Sequence, residues 1–189
     1  TFHPQAQGYL AFLGRISPEK RPDHAIEIAK RTGLPLRIAA KVDPADQNYF
    51  EAEIEPLLNH PLIEFVGEIS DAEKDDFLGN AMALVCPYDW PEPFGLVLIE
   101  ALACGTPVLA YRRGSIPEII DHGATGFICE TVSEMVDAVG QVSLINRQRC
   151  RAAFDERFTA ERMARDYVAL YERLLEDGSA QAAHAFAAE

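Results

Sequence analysis

Short apolar runs alternate with amphipathic stretches along the whole chain. Tyr9–Leu13, Leu36–Ala40, Ile63–Val66, Met82–Cys86, Val108–Ala110 and Gly126–Cys129 read as strands. Between them, apolar residues recur at helical spacing. Ala25, Ile26 and Ala29 share one face of Asp23–Arg31, and Phe50, Ile54, Leu57 and Leu58 share one face of Asp46–Leu58. Ser70–Leu78 opens with a capping signal, Ser70 followed three residues later by Glu73. Phe94–Ala103 is an apolar helix stopped by Gly105, Thr106 and Pro107. Ile116–Asp121, Ser133–Val142, Arg147–Phe154 and Ala160–Glu176 complete the helical set. The strands are nearly all apolar rather than alternating, as in a sheet covered on both faces. The pattern therefore predicts an α/β fold, a doubly wound parallel sheet of about six strands with helices on both faces. One domain is expected over residues 1–178, and the Ala-rich, aperiodic stretch 179–189 is expected to be a tail.

Ligands of such sheets bind beyond the carboxyl ends of the strands, which directs attention to the loops that follow each strand. The first runs from Gly14 to Lys20 and matches neither a dinucleotide fingerprint nor a P-loop. It sets Arg15 and Lys20 at the mouth of the sheet. There they can hold a diphosphate, Arg15 by its planar fork and Lys20 as a point charge, or stand as two solvated surface cations. The loop after the fourth strand, Pro87–Leu96, holds the only Trp, three prolines and Gly95 ahead of the apolar helix. The backbone N–H groups of Phe94, Gly95 and Leu96 should be unpaired at that helix start, a ready anion site. Glu92 precedes the helix and Glu100 interrupts its apolar run. A carboxylate there needs a partner. Sugar hydroxyls and a ribose diol would serve, but so would an internal salt bridge for Glu100 or an exposed loop position for Glu92. Arg112–Glu118 is either a turn facing the same ligand or an ordinary strand-to-helix turn. Gly67–Lys74, on its residues alone, is a helix start.

Composition narrows the classes. A net charge of −13 repels nucleic acid and anionic lipid, so an anion site must be locally basic or built from backbone N–H groups. No apolar run approaches the ~20 residues that span a bilayer. The start, Thr1 to Gln5, has no secretory signal, and the missing initiator Met leads us to expect a longer parent chain. Cys86, Cys104, Cys129 and Cys150 show no metal-ligand spacing and read as small buried hydrophobes, which points to the reducing cytoplasm and to no metal site.

Over Gly8–Leu175 these segments together resemble the C-terminal, donor-binding domain of glycosyltransferase family four, the retaining group with GT-B architecture. The resemblance rests on Glu92 and Glu100 with seven residues between them, on Ala101–Val108, on Gly14, Arg15 and Lys20, on Arg113–Ile119 and on Gly123–Phe127. It implies a Rossmann-like domain, half of a GT-B fold. It also implies that Arg15 and Lys20 neutralise the diphosphate of a UDP- or GDP-sugar, that Glu92 holds hydroxyls of the sugar, and that Glu100 accepts from the ribose. The amides of Phe94, Gly95 and Leu96 would meet the sugar and distal phosphate. Ile69 and Lys74 would lie near the base, with Asp71 assisting. By the same resemblance the donor is a substrate, no cofactor or divalent metal takes part, and an N-terminal acceptor domain is missing, so the domain alone is inactive. A nucleotide-sugar epimerase or phosphorylase-like half-enzyme, or a non-catalytic binding module, are the alternatives. Two departures stand out. Arg21 follows Lys20 where relatives have Gly, and Ala39, Ala40 and Lys41 end the second strand where many have Gly-x-Gly, which can add Lys41 to the donor site. The apolar stripe of Ala160–Glu176 either packs on its own domain or crosses towards the missing one.

Overall fold

The computed structural model describes residues 1–186, with side chains over 1–176. The chain divides into two units, Thr1–Ala153 and the residues from Phe154 on. The first carries a single parallel sheet in the order β3-β2-β1-β4-β5-β6. Its strands are β1 (Leu10–Arg15), β2 (Leu36–Lys41), β3 (Ile63–Gly67), β4 (Ala83–Cys86), β5 (Val108–Tyr111) and β6 (Gly126–Cys129). All six lie on the apolar runs expected. Leu10, Ala11 and Phe12 of β1 and Leu84, Val85 and Cys86 of β4 have no exposed surface. Strand β1 runs past its apolar stretch because its ladder with β2 continues through Gly14↔Ala40 and Arg15↔Lys41.

Helix α1 (Pro22–Thr32) starts on a proline and stops at Gly33. The stretch expected as one helix at 46–58 is interrupted: α2 (Gln47–Tyr49) widens into a π-helical turn at Phe50–Ile54 before α3 (Glu55–Leu58). Pro56 accounts for this, since it lacks the N–H that regular helix would send back one turn and its ring crowds the carbonyl there. Helix α4 (Asp71–Gly79) carries the capping box expected of Ser70 and Glu73. Helices α5 (Leu96–Cys104), α6 (Ile116–Ile119) and α7 (Val132–Val139) follow β4, β5 and β6.

At the amino ends of the strands, Arg147, the first residue of α8 (Arg147–Arg157), bonds the carbonyls of His3, Ala81 and Gly79 and the Thr106 hydroxyl at 2.6–2.8 Å. Among the described residues it has no carboxylate partner, and burial lowers its affinity for a proton.

The second unit is dominated by α9 (Ala160–Phe186), opened by Thr159, whose Oγ1 accepts from the Arg162 amide at 3.1 Å. Its apolar stripe, Met163, Tyr167, Leu170, Tyr171 and Leu174, is covered by no other element of that unit. The helix runs through most of the stretch expected as a tail, and residues 187–189 of that stretch lie outside the described residues. Lack of apolar periodicity argued against burial there, while alanine favours helix with or without burial.

Candidate functional site

The strand order reverses between β1 and β4, and in such a sheet the crevice opens where it reverses. The two strands pair at Leu10↔Ala83 and Ala11↔Leu84. Tyr88 lies just beyond, 2% exposed, its ring edge-on to Phe12 and its hydroxyl donating to the Leu13 carbonyl at 3.1 Å. Burial pushes its phenol well above the usual range. The Asp89 amide donates to the Glu19 carbonyl at 2.8 Å, joining the loop after β4 to the loop after β1.

Lys20 ends a short 3-10 turn (Pro18–Lys20), and Arg21 after it holds φ at 50°. It is the one non-glycine residue with positive φ among the described residues. The left-handed bend that glycine usually provides is therefore kept, with Arg21 bonded to both Asp23 oxygens at 3.0 and 2.7 Å. The bend turns Lys20 inward. Its Nζ donates to Glu92 Oε2 at 2.6 Å and lies 4.0 Å from the centre of the Tyr88 ring and 5.1 Å from that of Trp90. Trp90 Nε1 donates to the same Glu92 oxygen at 3.0 Å. The Lys20 and Glu92 side chains are 14% and 11% exposed. Neither the solvated cation expected as one reading of Lys20 nor the exposed loop acid of Glu92 is what the chain builds. It builds a sheltered ion pair between aromatic faces, where a cation is further favoured by the ring quadrupoles.

The turn after β5 holds this loop from behind. The Ser115 amide donates to the Glu92 carbonyl at 2.8 Å. Gly114, at φ 53°, passes so close that a Cβ would meet the Glu92 backbone and come 2.7 Å from the Pro91 carbonyl carbon. Arg113 bonds Asp89 Oδ1 at 3.0 Å. The Gly114–Ser115 turn is thus the support of Glu92 in this structure.

Beyond Glu92, Gly95 takes φ 76° and caps α5, which begins at Leu96, two residues later than the apolar run suggested. Among the described residues, the amides of Phe94, Gly95 and Leu96 donate to no protein group. They form the free helix N-terminus expected, next in the chain to the Lys20–Glu92 pair.

One turn into α5 stands a second pair. Lys74 on α4 lies 3.1 Å from Glu100 Oε1 and 3.0 Å from Asp71 Oδ1. The hydrogen bonds that Lys74 donates to Asp71 and to Glu100, with the Glu100 charge, raise its pKa. This is the internal salt bridge that was the other reading of Glu100. The pair lines a cavity of about 330 Å³ between α4 and α5, with Leu78, Ala103 and Cys104. Ile69 lines a different cavity, of about 380 Å³, with Val66, Glu68 and Phe77. Arg15 is half exposed and weakly paired, 3.4 Å from Glu19 and 3.6 Å from Asp43. Lys41 pairs with the same Asp43 at 3.1 Å.

Two residues here were not identified from sequence. In the sequence Trp90 stands out only as the single tryptophan, and Tyr88 falls without distinction inside the Pro87–Leu96 loop. A tryptophan two positions before a candidate carboxylate is the signal that was available. The four cysteines are free and buried, as expected. Among the described residues one group, His3, Asp75 and Asp76, has metal-ligand spacing, and it includes none of the residues above. No helix of the described residues is long and apolar enough to cross a membrane.

Comparison with known proteins gives the same fold. The family model of glycosyl transferases group 1 matches residues 1–157. The D-inositol 3-phosphate glycosyltransferase of Nocardia farcinica is 32% identical over 188 residues, covering 85% of this chain and 40% of the relative. Among solved structures, the Anabaena HepE protein in complex with UDP superimposes with a TM-score of 0.72 at 21% identity, over 92% of this chain and 49% of that one. The C-terminal domain of the glycosyl transferase group 1 family protein LpcC from Francisella tularensis does so at 0.67 and 21%, over 82% and 88%. The chain spans less than half the length of the curated relatives it matches. Matched over most of its length by the family model and sharing the six-stranded parallel fold, the chain belongs to the glycosyl transferases group 1 family.

Proposed function

We propose that this chain is the donor-binding domain of a retaining glycosyltransferase that takes a UDP- or GDP-sugar. In this reading the acceptor is bound by an N-terminal domain outside the chain, so the chain alone does not transfer sugar. The observation that carries the reading is the free N-terminus of α5 beside the sheltered Lys20 and Glu92 at the point where strand order reverses. Support also comes from HepE, solved with UDP on the same fold, and from LpcC, whose solved C-terminal domain is of nearly the same extent.

The chemistry follows from the charges. The amides of Phe94, Gly95 and Leu96, together with Lys20 and the more exposed Arg15, stabilise the negative charge that grows on the leaving diphosphate. Glu92 accepts from hydroxyls of the sugar and fixes its reacting face. Glu100 accepts from the ribose, and the base lies towards Ile69 and Lys74. With cations and a helix terminus to hold the diphosphate, the reading requires no divalent metal. It places the protein in the cytoplasm, where the four thiols stay reduced.

Calorimetric titration of the chain with UDP, GDP and ADP in EDTA tests this. Metal-free binding of one of them is expected and names the donor class. Silence from all three, repeated on the longer parent protein, would overturn the reading.

A further inference from the structure

We infer that the Lys20–Glu92 pair makes the site discriminate against the nucleoside diphosphate left after transfer, in favour of the intact sugar donor. The inference rests on the donor reading above and assigns Glu92 a role beyond contact with the sugar.

The argument begins with what each charge would lose. Lys20 is already matched, with Glu92 Oε2 at 2.6 Å and 14% of its side chain exposed. A diphosphate can engage Lys20 only by drawing it from Glu92 or by sharing it. Glu92 is 11% exposed, so water replaces the lysine only in part. A sheltered carboxylate deprived of its cation is strongly unfavourable. Its remaining donor is the Trp90 N–H at 3.0 Å on the same oxygen, and among the described residues Oε1 has no protein donor.

The two ligands meet this arrangement differently. The terminal phosphate of a nucleoside diphosphate is unesterified, bears the larger charge, and brings nothing that donates to Glu92. It would set a second anion against the carboxylate. In the intact donor that phosphate is esterified and carries a single charge. The attached sugar brings hydroxyls, one of which can donate to Oε1 as Lys20 turns to the phosphate. The intact donor therefore replaces what it removes, and the product does not. Trp90 is a positioning residue in this scheme: it keeps Oε2 anchored in either state, so that Oε1 stays available for the hydroxyl.

Calorimetry on the wild-type chain, Glu92→Gln and Trp90→Phe separates the possibilities, using UDP and UDP-glucose, then GDP and GDP-glucose. The longer parent protein is used if the chain alone is silent. Glu92→Gln keeps the shape and removes the charge. It is expected to bind the nucleoside diphosphate about tenfold tighter than wild type, and the sugar form no tighter. Trp90→Phe keeps a ring near Lys20 and loses only the N–H. It is expected to weaken the diphosphate about threefold more than its sugar form. Unchanged or weaker diphosphate binding by Glu92→Gln, alongside a wild type that binds, would overturn this inference and leave the donor reading intact. A wild type that binds neither nucleotide nor sugar form, in the chain and in its parent, would overturn both.

Discussion

Two lysine–glutamate pairs flank the start of α5, and they differ in everything but chemistry. Lys20 and Glu92 are 14% and 11% exposed, share a further donor in Trp90, and stand against aromatic rings. Lys74 and Glu100 are 31% and 38% exposed, and the lysine also reaches Asp71. The first pair is screened from water, so each partner depends on the other. The second is bathed in it, and exposed pairs of this kind contribute at most about 1 kcal/mol. Equal-looking ion pairs can thus be a tightly coupled unit in one place and a loose association in another. Burial, not distance, decides which.

The comparison can be broken most severely from behind. Gly114→Ala would push a methyl into the Glu92 backbone at a positive φ, and is expected to cost about 1–3 kcal/mol of stability and to abolish millimolar binding of the sugar donor. Thermal melts and calorimetry read both. Next comes Lys20→Gln. It removes a charge-assisted contact worth ~1.5–3 kcal/mol, so UDP or GDP should weaken roughly ten- to a hundredfold while the free nucleoside is little changed. Equal losses for nucleoside and diphosphate would show that Lys20 does not face phosphate.

Smaller effects sharpen the contrast. His24 lies behind the Arg21 bend, its Nδ1 2.9 Å from the Tyr111 hydroxyl and its other ring nitrogen against Arg21. Burial and the Arg21 charge lower its pKa below the ordinary 6.5. The unfolded chain therefore takes up this proton first as pH falls through 6.5, so the imidazole contributes a stability loss on the acid side and none above neutrality. His24→Gln should reduce the fall in melting temperature between pH 7 and 5 by roughly 1–3 °C. Last is Lys74→Gln, expected to change stability by less than about 1 kcal/mol and nucleoside affinity about threefold. The Lys74 pKa is raised above 10.5, so its contribution holds throughout the neutral range and is lost only as pH climbs past that value. A large change from Lys74→Gln, comparable with that from Lys20→Gln, would erase the distinction drawn here.

How much of this the sequence disclosed depends on the kind of interaction. Strands buried on both faces must be largely apolar, which makes the central ones plain, while the edge strand β3, with Glu64 exposed, shows by its short Ile63, Phe65 and Val66 run. The capping box of Ser70 and Glu73 is a local device and was equally legible. The free amides before Leu96 followed from helix geometry alone. Partnerships across the chain left no such trace. Lys20 and Glu92 are 72 positions apart, Lys74 and Glu100 are 26 apart, and nothing in either segment names the other. At Arg21, which stands where relatives have Gly, the backbone keeps the left-handed bend, because the pairing with Asp23 compensates a conformation costly for an L-residue. The π-helical turn at Phe50–Ile54 was hidden because the apolar spacing continues across it.

Arg147 gives the molecule a further property. Four of its five N–H donors are spent on three carbonyls and one hydroxyl at the amino ends of the strands. No other side chain presents that fork, so position 147 should be among the least replaceable in the chain. In the proposed donor reading, the residues that select a ligand are at the opposite ends of the same strands. Changes at distant positions add nearly independently. Mutational drift in the upper loops can therefore proceed without drawing on the fastening below, and a lineage of such domains can diversify there while its fold stays put.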